Sequence, residues 1–119
     1  MAETKTWSGG CHCGRVRFDV ETDLAQVMSC NCSICSKRGT LFAFVTPDRF
    51  KLTSGEGAQT VYHFNKGLID HMFCPTCGIA SFSAGKAPSG RAMVAVNVRC
   101  LDDIDLSQIT SGQFDGKSL

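Results

Sequence analysis

Seven of the eight cysteines in this 119-residue chain fall into three tight clusters. These are Cys11-His12-Cys13, Cys30-Asn31-Cys32-Ser33-Ile34-Cys35 and Cys74-Pro75-Thr76-Cys77; Cys100 stands apart. A disulfide framework spreads its cysteines to staple distant segments, whereas gaps of one and two residues aim several sulfurs at one point. Zinc asks for that arrangement, with four soft ligands at roughly 2.3 Å in a tetrahedron. The opening residues MAETKTWSGG lack the apolar stretch of a secretory signal, so the expected compartment is the cytoplasm, where thiols stay reduced. Clustering and compartment both favour metal over disulfides.

The strongest local motif is Phe73-Cys74-Pro75-Thr76-Cys77-Gly78, which has the form of a zinc knuckle. The two-residue gap points both thiolates one way, and Gly78 permits the positive backbone angle of a tight turn. One knuckle supplies two ligands and needs two more. The pair Cys11-His12-Cys13-Gly14 can supply them from a distant part of the chain, tying an N-terminal hairpin to the strands around 70–83. A site with all four positions filled is structural and contributes folding free energy directly.

Cys30, Cys32 and Cys35 remain. Three thiolates within six residues can hold one metal and leave a fourth position open, as catalytic rather than structural zinc does. His12, His63, Asp70, His71 and Cys100 are the protein groups that can fill it, although none has ligand spacing. Left open, an electron-rich, thiophilic site favours another thiolate as its guest. A thiol held there is ionised near neutral pH and becomes a nucleophile toward electrophiles such as aldehydes.

The elements that must position these sulfurs read as short and mainly β. Apolar and polar residues alternate between glycines, most clearly over 15–21, where Val16, Phe18 and Val20 point inward. Further strands are expected at 41–46, 60–64, 68–73, 79–83 and 91–98. One helical turn is expected at 32–38, and a short helix or meandering tail at 101–109. No long amphipathic helix is legible, so metal supplements a small β core in a single domain, with its body over about 7–106 and a tail at 107–119. Hydrophobic residues make up 43% and charged ones 19%, the balance of a soluble globular chain. The longest apolar stretch, 41–45, is too short to span a bilayer. Net charge is +1 with no basic run beyond Lys37-Arg38, which argues against a nucleic-acid or membrane-surface partner. Metal strengthens the point, because a four-thiolate zinc site carries about −2 and a three-thiolate site about −1.

The order of the motifs resembles a known family. Gly10-Cys-His-Cys-Gly14, then Cys30-Asn-Cys-Ser-Ile-Cys35 with Lys37-Arg38-Gly39, then Phe73-Cys-Pro-Thr-Cys-Gly78, is similar to the glutathione-dependent formaldehyde-activating enzymes, a family that includes the centromere protein V group. The later Asn97-Val98-Arg99-Cys100-Leu101-Asp102 resembles a pattern of bacterial members. The resemblance implies an Mss4-like, mainly β fold. It implies a structural zinc on Cys11, Cys13, Cys74 and Cys77, and a catalytic, labile zinc on Cys30, Cys32 and Cys35. The activity it implies is that of a carbon–sulfur lyase, joining formaldehyde and glutathione into S-(hydroxymethyl)glutathione. Glutathione carries two carboxylates, so nearby cations become candidate binding groups: Lys37 and Arg38 first, being two and three residues beyond Cys35, then Arg99. The competing reading is a zinc-stabilised module that captures a thiol, a metal or a protein partner without turnover.

Overall fold

A computed structural model describes residues 4–63, 69–86 and 89–114. Ten strands and one short α-helix account for most of them. The first sheet is antiparallel, with β1 (Lys5–Gly10), β2 (Arg17–Thr22) and β5 (Phe50–Ser54) in the order β1-β2-β5. The second has seven strands. Its members are β3 (Val27–Cys30), β4 (Leu41–Val45), β6 (Thr60–Tyr62), β7 (Ile69–Phe73), β8 (Phe82–Lys86), β9 (Ala92–Asn97) and β10 (Ser111–Phe114). They lie in the order β10-β3-β4-β9-β8-β7-β6, antiparallel except where β10 runs parallel to β3. The helix α1 (Ser33–Arg38) follows β3 directly.

The alternating pattern places the core. Val16, Phe18 and Val20 are buried on the inner side of the first sheet, as the period-two pattern requires. They meet Val27, Ala43, Val45, Phe82, Val94 and Val96 from the second sheet. Phe18, Phe50 and Phe82 form the aromatic centre, with ring centroids 5.4 Å apart for Phe18–Phe50 and 4.6 Å for Phe50–Phe82. Phe18 and Phe82 are buried and Phe50 partly so; a fully buried side chain of this kind is worth roughly 1.5–3 kcal/mol, a large share of the stability of so small a domain.

The second sheet's other face carries Cys30. Met28, Phe42 and Asn97 are register partners across β3, β4 and β9. By alternation Cys30, two residues beyond Met28, shares that face. Phe44, Ala95, Ser83, His71 and Tyr62 form a second row across it.

The mainly β expectation holds, with differences at particular elements. The strand expected at 79–83 begins only at Phe82, because Ile79 to Ser81 serve the preceding cysteine turn: Ile79 accepts from the Cys74 N–H at 3.0 Å and Ser81 from the Asn97 N–H at 2.9 Å. The expected strands at 60–64 and 68–73 are β6 and β7; positions 64 and 68 lie outside the described residues. The span 101–109 holds one 3₁₀ turn, Leu106–Gln108, and the stretch read as tail supplies β10. Strands β3, β5 and β10 escaped the pattern because almost none of their side chains is buried: Val27 alone in β3, none in β5 and none over 111–113.

Candidate metal centres

The first centre is built by two turns of similar construction. The Cys11 N–H donates to the Val16 carbonyl at 3.0 Å and the Cys74 N–H to the Ile79 carbonyl at 3.0 Å, a five-residue span in each. Gly14 and Gly78 close the turns with φ of 84° and 81°. A Cβ at either glycine would meet nothing within 4 Å, so the demand is for the left-handed backbone and not for space. The turns are joined by a hydrogen bond from Arg15 Nη1 to Thr76 Oγ1 at 3.2 Å.

The two turns bring Cys11, Cys13, Cys74 and Cys77 together with all sulfurs within 4.8 Å of one another. Cys11 and Cys13 Sγ lie 3.6 Å apart, and Cys13 and Cys74 Sγ 3.7 Å. A tetrahedron with bonds of about 2.3 Å has edges of roughly 3.8 Å, so the donor set fits zinc. A disulfide needs about 2.05 Å, and the cysteines are free thiols. Backbone N–H groups already point at the sulfurs: Val16 N–H donates to Cys11 Sγ at 3.3 Å. At Cys77, burial opposes ionisation, but the N–H groups of Cys13 and Ile79 outweigh it and hold the thiol at about 6. At Cys13, the Arg15 N–H pulls downward, yet burial and the neighbouring thiols push it up to about 11. Without metal, the four sulfurs share protons unequally; a cation replaces those protons.

The second centre sits where β3 passes into α1. Cys32 is the N-cap residue, and its sulfur accepts from the Cys35 N–H at 3.5 Å. Cys30 Sγ accepts from the Cys32 N–H at 3.5 Å. Lys37 and Arg38 occupy the last turn, where cations suit the helix dipole, and Gly39 ends the helix at φ 69° with its N–H on the Cys35 carbonyl. The short helix thereby turns three sulfurs onto one point, all within 4.8 Å. Burial raises Cys30 and Cys35. Cys32 is also penalised by burial, but the Cys35 N–H and the two neighbouring thiols bring it below the ordinary thiol range.

Among the described residues no fourth protein ligand joins this cluster. His63 instead pairs with Asp70 at 2.5 Å. His71 is buried in β7, where burial first, then the charges of Arg38 and His63, lower its pKa. The Cys100 thiol points to the Ala80 carbonyl at 3.9 Å. The three-thiolate set matches zinc with one position free for an outside ligand.

A cleft of about 500 Å³ runs from the four-cysteine centre to the end of α1. Cys11, His12, Arg38, Thr40, Asn97 and Arg99 are among its lining residues. Of the cations beside the second cluster, Arg38 lines it and Lys37 does not. Thr40 and Asn97 are both buried polar residues; Asn97 opens the Asn97–Asp102 pattern noted in the sequence, whereas Thr40 escaped sequence reasoning because it belongs to no cysteine motif. Arg99 and Cys100 are held in place by β1. Gly9 bridges to Leu101, and Asp102 donates its N–H to the Ser8 carbonyl at 2.8 Å while its carboxylate pairs with Arg17. A Cβ on Gly9 would lie 2.5 Å from the Cys100 carbonyl oxygen, so this approach requires glycine.

A crystal structure of a Rhodobacter sphaeroides protein is similar to this chain, with a TM-score of 0.76 and 30% sequence identity. The match covers 88% of this chain and 99% of that one. The family model for the glutathione-dependent formaldehyde-activating enzyme matches residues 6–114, a span that includes all seven clustered cysteines. The chain therefore belongs to the glutathione-dependent formaldehyde-activating enzyme family.

Proposed function

We propose that the protein is a zinc-dependent carbon–sulfur lyase that interconverts formaldehyde and glutathione with S-(hydroxymethyl)glutathione, and that Cys30, Cys32 and Cys35 form its catalytic centre. The observation that supports this reading is that, among the described residues, three convergent sulfurs have no fourth protein ligand, set against a complete four-sulfur set elsewhere. Zinc bound there supplies a Lewis acid that keeps an incoming thiol ionised near neutral pH.

The chain's own groups do the rest. Cys35, buried on α1, and Cys30, half-buried at the end of β3, fix two corners of the centre. The N–H groups of Cys32 and Cys35 hydrogen-bond sulfurs and fix their direction, as outer-shell donors do around metal ligands. The substrate thiolate adds to the formaldehyde carbon. A C–S bond forms, the carbonyl π bond breaks, and the resulting alkoxide takes a proton from water. In reverse, the hydroxyl loses its proton and the C–S bond breaks. Cys11, Cys13, Cys74 and Cys77 hold a second zinc that is structural.

The deciding experiment measures exchange between free formaldehyde and S-(hydroxymethyl)glutathione by NMR, with and without the zinc-loaded protein. Acceleration above the spontaneous rate is expected. A rate equal to the spontaneous one across several thiols would leave a binding module in place of an enzyme.

A further inference from the structure

Thr40 is the buried polar residue that stands next to the three-sulfur centre. Met28 and Phe42 are register partners across β3 and β4, and the pairing runs on to Ser29 and Leu41. Cys30, which ends β3, and Thr40, which precedes β4, come next. Each is two positions beyond the Met28–Phe42 pair and therefore on the same face of the sheet. The short helix between them makes this possible. After Arg38 the chain leaves α1 through Gly39 at φ 69° and returns beside the strand it came from.

The fold makes no use of this hydroxyl. Thr40 is only 5% exposed, and among the described residues its side chain makes no hydrogen bond. A hydroxyl nearly withdrawn from water without a partner costs free energy, and a valine would fill similar space without that cost. The other buried polar residues of this face differ. Asn97 is engaged at both ends: Nδ2 donates to the Ala80 carbonyl at 3.0 Å, and Oδ1 accepts the Arg99 N–H at 3.1 Å. Ser83 and His71 lie on β8 and β7, three and four strands away from β3. Thr40 also lines the cleft, so a small molecule entering it meets this residue beside Cys30.

We propose that Thr40 is a catalytic residue of the formaldehyde–thiol reaction, its hydroxyl donating a hydrogen bond to the aldehyde oxygen as that oxygen becomes an alkoxide. This rests on the lyase reading given above and adds the group that stabilises the developing charge. When the thiolate sulfur adds to the carbon, the C–S bond forms and the π electrons of the carbonyl move to oxygen. The hydrogen bond from Thr40 strengthens as negative charge gathers there, so it lowers the barrier more than it tightens substrate binding. The proton that the alkoxide finally takes comes from water and balances the one the thiol lost on ionising. In reverse, the hydroxyl proton passes to water, Thr40 holds the alkoxide, and the C–S bond breaks.

The test removes the hydroxyl and then restores it. Thr40→Val keeps the shape without the donor, and Thr40→Ser keeps the donor. In the exchange assay on zinc-loaded protein, Thr40→Val should lose roughly tenfold or more in the saturated rate with little change in KM, since loss of one such donor typically costs about a hundredfold to a thousandfold in kcat. Thr40→Ser should keep most of the rate, and both variants should melt with the parent. Should Thr40→Val fail to fold, Thr40→Ala takes its place in every arm. Binding gives a second readout. S-(2-hydroxyethyl)glutathione carries a hydroxyl near the reacting position and S-ethylglutathione does not. Calorimetry should show the parent preferring the hydroxyl compound and Thr40→Val binding both alike. If the parent accelerates exchange, then a Thr40→Val variant that keeps the rate or the preference, or an equal loss in the valine and serine variants, overturns the role of Thr40 and leaves the lyase reading standing. A parent that does not accelerate exchange overturns both.

Discussion

The sulfurs of Cys13 and Cys74 lie 3.7 Å apart although 61 residues separate them. Cys13 stands between β1 and β2 of the three-stranded sheet, and Cys74 follows β7 of the seven-stranded one. A metal at this point would therefore tie the two sheets together at the edge of the core they share, to which Cys11 and Cys74 themselves belong.

Replacing one ligand of this centre should unfold the domain. Structural zinc contributes an apparent ~10–16 kcal/mol in small zinc domains, comparable to or larger than the ~5–15 kcal/mol net stability of a typical fold. Cys74→Ser is expected to abolish the cooperative melting transition. Cys32→Ser should leave melting close to the parent's and abolish formaldehyde–thiol exchange. Identical behaviour of the two variants would sink the division into a structural and a catalytic centre.

Chelator titration should show two classes of metal. In the proposed reading a zinc on the four-sulfur set has no position left for an attacking chelator, while one on the three sulfurs, which no fourth ligand joins among the described residues, has a position open to a soft ligand. Zinc-loaded protein mixed with a chromogenic chelator should release about one equivalent quickly with no loss of secondary structure, and the second only as the protein unfolds. Monophasic release accompanied by unfolding would contradict this.

Much of this was legible because cysteine clusters and β alternation are both local signals. The turns at 11–14 and 74–78 carry their ligands and closing glycines within five residues, and Val16, Phe18 and Val20 announce their face by simple alternation. The cleft was not legible in that way. Thr40 is an ordinary polar residue in sequence, and it lines the same cleft as Asn97 because β4 pairs with β9 in the register Phe42↔Asn97. Likewise Lys37 and Arg38 are equivalent as neighbours of Cys35, and only the direction of the helix's last turn puts Arg38 alone in the lining.

Gly9→Ala should link fold to site. The added methyl would stand 2.5 Å from the Cys100 carbonyl oxygen and 2.9 Å from the Phe18 ring, so backbone has to shift. Overpacking of this kind costs roughly 1–3 kcal/mol. The displaced segment carries Arg99, a candidate glutathione-binding group, so weaker glutathione binding should accompany the lower melting temperature. Full glutathione affinity in a destabilised variant would show that the site does not depend on the β1 contact.

His71 should make stability depend on pH in a defined window. Burial, then the positive charges of Arg38 and His63, lower its pKa below the usual 6.5. The unfolded chain then binds a proton at a pH where the folded protein does not, so the unfolded state holds more protons and stability rises with pH. The contribution is fully present above about 6.5, the pKa of an unperturbed histidine, falls as pH drops below that value, and levels off once pH passes below the folded pKa. Acid release of zinc adds its own slope, so the quantity to measure is the difference between parent and His71→Gln. Denaturant unfolding at intervals from pH 7.5 to pH 5 should show the parent losing more stability than the variant as pH falls, and an NMR titration should place the His71 midpoint below the usual 6.5. Parallel pH profiles for the two proteins would mean that His71 is protonated as easily in the folded state as in the unfolded one.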